Sequence, residues 1–543
     1  MGLGLLGLFL AASTPASAAP PRPKLVVAIS VDQFSLELFQ RYRPTFTGGL
    51  KRMGEGVAFT GYQSHGATET CPGHSTILTG DHPARTGIVA NGWYDRKTAS
   101  NVYCVSVPGT ADPSARGSGM LKVDTLGDWL KRAEPGARSI AVSGKDRAAI
   151  MMAGHHPDAV YWWNDGQGFS TSRYAGPVTA KTLAPARAFN RSLFAAWRAK
   201  PPQLWPEKIS ASCAALQQPH RFGRLELSGE VPPQSSSGVT GGKDYLGSSR
   251  FAEELRASPI FDPLALAFAE QLVRTNRMGR GPKTDLLAVS LSSTDYIGHR
   301  YGNGGAETCV QMAALDKALG DFFDRLDRLG VPYVAMLTAD HGAADAAERL
   351  GGSAQRVNTG GLVGSLNGHL RTAFGLGYDP VAGDDSRQIV LNLPPIDNQR
   401  RDAITADALA WLKARPEVGS AFTAAEIVQS APPAGKPVQD LTLAERFYES
   451  FDPERSGDIL VAYAEGATLG MPAAQGDTVA GHGSPWDYDR RVPILFWWPG
   501  VAAAAEPQPM ETVDIAPTLA AVIGIKAPAV DGHCVDLGQR CPS

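Results

Sequence analysis

A surplus of positive charge, a membrane-length hydrophobic run, a C-x-x-C pair and any internal repeat are all missing from this 543-residue chain. The formal net charge is −3, which leaves no electrostatic footprint for a nucleic acid partner or an anionic membrane surface. No segment has the length and continuity of a membrane span. Without a C-x-x-C, a structural thiolate zinc site lacks its usual ligand pairs. Charged residues make up only 19% of the chain against 43% hydrophobic, so a sizeable core can form and global disorder is excluded. The 59 glycines and 40 prolines follow no collagen-like period and point to many sharp loops.

What is present begins at the N-terminus. An apolar run from Gly2 to Leu10 is too brief to span a bilayer. Ala16-Ser17-Ala18 follows as a small-x-small cleavage pattern, and Pro20-Pro21-Arg22-Pro23 as an extended linker. The expectation is a signal peptide over residues 1–18 and a periplasmic or secreted mature chain, although no Lys or Arg precedes the run. Gly2, Gly4 and Gly7 also match G-x-G-x-x-G, but no strand comes before them, so no dinucleotide site is expected there. Six cysteines in an exported chain permit disulfides. Cys534 and Cys541 bracket a short tail loop and are the expected pair; Cys71, Cys104, Cys213 and Cys309 stay unassigned.

Apolar runs at Leu25–Val31, Ser139–Ser143, 286–293, 332–338 and 492–497 read as buried strands. Between the third and fourth, Leu315, Leu319, Phe322, Leu326 and Leu329 recur at helical spacing, and Gly330 with Pro332 supplies the stop. Strand, helix, strand makes a βαβ unit and implies a parallel sheet. A second helix is predicted over about 401–414, with Ile404, Ala408, Trp411 and Leu412 on one side. The expected fold is α/β, with a mostly parallel central sheet flanked by helices. It spans 24–541 and is interrupted by two cap-like insertions at about 156–283 and 351–479.

Chemistry gathers where these strands end. Asp32 closes the first; Asp295 and His299 follow the third; Asp340 and His341 follow the fourth; His482 lies in the loop entering the last. In open parallel sheets ligands bind beyond the carboxyl ends of the strands, so three carboxylates and three imidazoles would converge on one edge. A mixed nitrogen and oxygen set without thiolate suits zinc. Two such ions can hold both the attacking and the leaving oxygen of a displacement at phosphorus. Each residue alone has a plainer reading, since one Asp past a strand is commonly a cap and one His commonly a hydrogen-bonding group. Their joint placement is harder to dismiss.

A hydroxyl nucleophile belongs at a helix N-terminus, where backbone amides and the helix dipole favour an alkoxide and a phosphoryl group. Thr70, in Thr68-Glu69-Thr70-Cys71-Pro72-Gly73-His74-Ser75-Thr76, sits in that context, with Pro72 tolerated in the first turn. Spacing alone leaves Thr68 and Ser75 as competitors, and a plain capping role for Thr70 remains open. His74 is read as packing or hydrogen-bonding in the nucleophile helix, His155-His156 as a loop pair and His533 as a tail residue. Tyr161-Trp162-Trp163 is read as packing rather than a base-stacking platform.

Taken together, Asp32, T-x-x-PGHST-x-x-TG at Thr70, N-x-WYD at Asn91, GKDRA with Lys145 and Arg147, Asp295-x-x-x-His299, Asp340-His341-Gly342 and His482-Gly-Ser-Pro-x-x-Tyr-Asp resemble the alkaline phosphatase superfamily. The pattern is most similar to bacterial phosphate-insensitive alkaline phosphatases with a threonine nucleophile, relatives of nucleotide pyrophosphatase/phosphodiesterases. The resemblance implies two zinc ions per chain. One would be held by Asp295, His299 and His482, the other by Asp32, Asp340 and His341, with Thr70 on the second. It further implies hydrolysis of small-molecule phosphate monoesters through a phosphothreonine. A phosphodiesterase or nucleotide pyrophosphatase using the same metals is the alternative. Asn91, Lys145 and Arg147 decide between these. A monoester dianion rewards cationic donors, with arginine binding two oxygens in a planar fork and lysine acting as a point charge. A sulfatase needs Cys- or Ser-x-Pro-x-Arg for its formylglycine; here Cys71 is followed by Pro72-Gly73-His74-Ser75. Three features depart from the family pattern: Cys71 after the nucleophile, glycine before His482, and a short segment from Asn91 to Lys145.

Overall fold

A computed structural model describes residues 22–110, 112–172, 178–233, 247–539 and 541. The leader expected at 1–18 lies outside the described residues. The body is a ten-stranded sheet. Its main strands in chain order are β1 (Leu25–Val31), β2 (Val57–Tyr62), β3 (Ser139–Ser143), β4 (Ala159–Asn164), β5 (Gly168–Ser170), β6 (Asp285–Leu291), β7 (Tyr333–Thr338) and β8 (Arg491–Trp497). Across the sheet they stand in the order β2-β8-β7-β1-β6-β3-β4-β5, and two short edge strands, Ala504–Ala505 and Met510–Glu511, pair with β2. The five strands from β7 to β4 are mutually parallel; β8 and β5 run against them. The α/β fold with a mostly parallel sheet is therefore as the sequence implies.

The continuous apolar runs reflect a sheet covered on both faces. In β1, Leu25, Val27, Ile29 and Val31 point into one core, with Leu287, Val289 and Leu291 of β6 and Ala335 and Leu337 of β7. Val26 and Ala28 point into the other, with Leu286, Ala288, Val334 and Met336. Burial of each large aliphatic side chain contributes about 1.5–3 kcal/mol. Tyr161 and Trp163 alternate with Trp162 between the same two cores, so the aromatic triplet packs and presents no stacking platform. The predicted leucine-rich helix runs over Ala306–Leu329 and buries Leu315, Leu319, Phe322 and Leu326.

Within the segment 156–283, β4 and β5 continue the main sheet, and Phe268 on the helix Phe261–Thr275 stacks on Phe169 at 4.6 Å. The segment 351–479 holds a second, four-stranded sheet of Val381–Ala382, Gln388–Leu391, Ile459–Tyr463 and Val418–Thr423. Helices Leu362–Phe374 and Asn398–Lys413 cover it. The latter starts three residues before its predicted position because Asp397 caps the Arg400 amide. Ile404, Ala408 and Leu412 are buried as expected. Trp411 is only half-buried, with the Arg415 guanidinium 3.8 Å above its ring.

All six cysteines pair: Cys534–Cys541, as expected, and also Cys71–Cys104 and Cys213–Cys309. Among the described residues, no helix is long and apolar enough to cross a membrane.

Candidate active site

The carboxyl edge of the sheet collects the residues named above. Asp32 leaves β1. The chain leaves β6 into the helix Ser293–Tyr301, which sets Asp295 and His299 four residues apart on one helical face. Asp340 and His341 leave β7, and Lys145 and Arg147 leave β3 at the head of the helix Asp146–Ala153. Because β8 is antiparallel to β7, the loop entering it reaches this same edge, and that loop carries His482. Thr70 is the first residue of the helix Thr70–Thr79, which Glu69 precedes.

Three imidazoles have their tautomers set by backbone carbonyls. His299 Nδ1 faces Ala480 O at 2.9 Å, His482 Nδ1 faces Thr68 O at 2.8 Å, and His341 Nδ1 faces Gly342 O at 2.9 Å. A carbonyl only accepts, so each Nδ1 carries a hydrogen, and in the neutral ring Nε2 keeps the lone pair. Those Nε2 atoms lie 3.3 Å (His299) and 3.5 Å (His482) from Asp295 Oδ1, and 3.3 Å (His341) from Asp340 Oδ2. Ligand atoms of Asp295, His341 and His482 fall within 4.8 Å of one another, as do those of Asp32, His74 and Asp340.

This grouping differs from the expected partition in two respects. His341 stacks on His482, ring centroids 3.5 Å apart, and so bridges the two groups. His74, read from sequence as packing or hydrogen-bonding in its helix, also reaches Asp32 Oδ1 and Asp340 Oδ2, each at 3.3 Å, from within the Thr70 helix. Its Nδ1 also bonds Thr70 O, one turn back.

The donor set fits a pair of zinc ions: imidazole and carboxylate, no thiolate, with His341 Nε2 and Asp340 Oδ2 buried and lacking hydrogen-bond partners. Protonation agrees. Burial pulls His341 down to about 4, with His482 adding to the effect against Asp340, so the ring is neutral at physiological pH. Burial alone would raise the carboxyls of Asp32 and Asp295, but the Lys145 ammonium, joined by His74 at Asp32 and by His299 and His482 at Asp295, outweighs it and holds both well below the usual range. Lys145 Nζ stands 2.9 Å from Asp32 Oδ2 and 2.6 Å from Asp295 Oδ2, on the seam between the two groups.

Around Thr70 the polar groups converge. Arg147 Nη2 is 3.5 Å from Thr70 Oγ1, and its Nη1 is 3.4 Å from the Tyr103 hydroxyl, which donates to Asp146 Oδ1. Asn91 Oδ1 accepts from Cys71 N at 2.8 Å, so only the donor end of its carboxamide is left for another group. Thr68, the nearest competitor, spends its hydroxyl on Ser484 O, and Ser75 spends its own on Pro72 O.

Sequence reasoning missed Gln33, Glu69, Tyr103 and Arg387. Glu69 accepts from Asn91 N and pairs with Arg387, which comes from the second sheet. Gln33 and Glu69 carried a faint signal as neighbours of Asp32 and Thr70. Tyr103 and Arg387 carried none, because tertiary packing alone brings them here.

A mostly parallel sheet with carboxylate and imidazole groups at its carboxyl edge, beside a hydroxyl at a helix head, defines a hydrolase of the alkaline phosphatase superfamily. Within it the chain belongs to the type I phosphodiesterase / nucleotide pyrophosphatase family, whose profile matches residues 26–484. Among its relatives, the alkaline phosphatase PhoK of Sphingomonas sp is 40% identical, over 96% of this chain and 92% of its own. The alkaline phosphatase PhoD of Zymomonas mobilis subsp. mobilis is also 40% identical, over 96% of this chain and 89% of its own. The crystal structure of wild-type alkaline phosphatase PafA superposes with a TM-score of 0.82 at 27% identity, covering 96% of this chain and 99% of that one.

Proposed function

We propose that the chain is an exported phosphate monoester hydrolase, an alkaline phosphatase, that works through a covalent phosphothreonine at Thr70. The observation that carries this reading is the guanidinium of Arg147 beside Thr70 Oγ1 at a helix N-terminus. A dianionic phosphoryl group placed there meets the amides of the first turn, the Arg147 fork and the Asn91 amide nitrogen. Lys145 adds a point charge. Asp295, His299 and His482, and Asp32, Asp340 and His341 with Thr70, would hold two zinc ions. When bound, these supply positive charge that lowers the pKa of a hydroxyl and stabilises oxygens entering and leaving phosphorus.

Thr70 Oγ attacks phosphorus, loses its proton and displaces the alcohol, which departs on the opposite side. Water then attacks the phosphothreonine, returning the Thr70 hydroxyl and releasing inorganic phosphate. Two inversions give net retention. Throughout, Asn91, Lys145 and Arg147 hold the non-bridging oxygens, which is electrostatic work. The names of PhoK, PhoD and PafA support the monoester reading. Three disulfides support an oxidising compartment, periplasmic or secreted.

The description of the matching family favours a second reading, a phosphodiesterase or nucleotide pyrophosphatase on the same site. Comparing kcat/KM for a monoester and a diester, in the parent and in Lys145→Ala, separates the two. The monoester reading expects a monoester preference that shrinks in the variant. An unchanged preference refutes the role of Lys145, and a diester preference in the parent selects the second reading. Thr70→Ala is expected to abolish turnover while keeping the metal content; retained turnover excludes Thr70 as nucleophile.

A further inference from the structure

Gln33, directly after the metal-site residue Asp32, is fully buried and holds a left-handed backbone, φ 62°. That conformation is uncommon for a residue with a Cβ and persists only where surroundings enforce it. Here it aims two parts of one residue at two carboxylates. The backbone N–H donates to Asp340 Oδ1 at 3.0 Å. The carboxamide lies between Asp295 and Asn303. With its nitrogen toward Asp295, Nε2 donates to Asp295 Oδ1 at 2.9 Å and Asp295 O at 3.2 Å, and Oε1 accepts from Asn303 Nδ2 at 3.1 Å. The opposite orientation sets carboxamide oxygen against carboxylate oxygen, which no hydrogen can bridge.

We propose that Gln33 is a positioning residue that ties the Asp295 group to the Asp340 group and so fixes the spacing between the two zinc ions. This rests on the zinc reading above. Asp295 Oδ1 also faces the Nε2 atoms of His299 and His482, so a donor on its remaining lone pair sets the direction of the other. Asn303 anchors the far end of the carboxamide by donating to Ala344 O at 2.8 Å. Gly298 leaves room for it: a Cβ at that position would come within 2.3 Å of the end of the carboxamide that faces Asn303.

Two variants test the proposal from opposite sides. Gln33→Gly keeps the backbone N–H and the positive φ while deleting the carboxamide. Gly298→Ala keeps the Gln33 side chain but crowds its carboxamide out of the seat between Asp295 and Asn303, and alanine is the better helix former. Zinc affinity is measured by competition with a chromophoric chelator on the full chain, and thermal unfolding is measured in the metal-free state. In both variants zinc affinity is expected to fall about 10–100-fold, with metal-free melting close to that of the parent. Unchanged zinc affinity in either folded variant overturns the proposal. So does loss of metal-free folding in both, since the carboxamide would then belong to the fold rather than to the ligands. If the parent itself binds no zinc, the metal reading fails instead, and the two failures are told apart.

Discussion

Gly73→Ala would separate the helix that carries Thr70 from the strand end that carries Asp340. A Cβ built on Gly73 falls 1.9 Å from Asp340 O and 2.6 Å from Asp340 C. Ordinary contact begins near 3.4 Å, so the two backbones must part by about 1.5 Å, and no flexible side chain can absorb the move. Taken alone, glycine to alanine inside a helix stabilises by about 0.5–1 kcal/mol, and the clash opposes that gain. A misplacement of about 1 Å in a reacting constellation costs around a hundredfold. Gly73→Ala is therefore expected to lower kcat/KM for a phosphate monoester at least a hundredfold, with weakened zinc retention, in a protein that still folds. Steady-state kinetics at saturating zinc, metal analysis and a melting curve read all three. A folded variant within threefold of parental kcat/KM would show that the contact between helix and strand end does not set the geometry.

Other perturbations probe the surroundings. Burial pushes the Asp262 carboxyl from 3.8 up to about 6, although it accepts from Ser293 N and Gln311 Nε2. Since the folded value lies above the unfolded one, the cost is absent below pH 4, grows as pH rises and is complete above pH 6. It is on the order of 2–3 kcal/mol. Asp262→Asn should thus gain stability relative to the parent at pH 8 and not at pH 4, aided by Gln311 Oε1, which has no partner now. An equal difference at both pH values in denaturant unfolding refutes this. Replacing Cys71 and Cys104 together by alanine opens a buried link spanning 33 residues. Unfolding under non-reducing conditions should show a loss of roughly 3–4 kcal/mol, and an unshifted denaturant midpoint would contradict it. Tyr103→Phe removes the hydroxyl beside Arg147, and kcat/KM for a monoester should fall about tenfold; unchanged kinetics would detach Tyr103 from the site.

The fold was legible because its strands are apolar on both faces. Each of the five predicted runs lies within two residues of an observed strand. The third overshot into Ser292 and Ser293 because their small side chains, buried at the helix entrance, read as a continuation of the run. Direction was less legible, since β8 is as apolar as its parallel neighbours and only the pairing register shows that it is antiparallel. At the site, residues at strand ends stood out because chain position and chemistry coincide. The pairing of Cys71 with Cys104 did not, since their separation carries no information about distance. Neither did the position of His74 between two carboxylates, because helix spacing shows which residues share a face and not what that face meets.

The reversed direction of β8 also bears on how the molecule is made. Asp32 and His482 lie about 450 residues apart in the chain, and the whole second sheet is synthesised before His482 is reached. A ribosome therefore delivers every other candidate ligand first. A chain cut short between β7, which ends at Thr338, and position 482 could build five parallel strands, yet would lack a member of its centre. Closing so long a loop is a late and slow event, which makes reactivity among the last properties this polypeptide acquires.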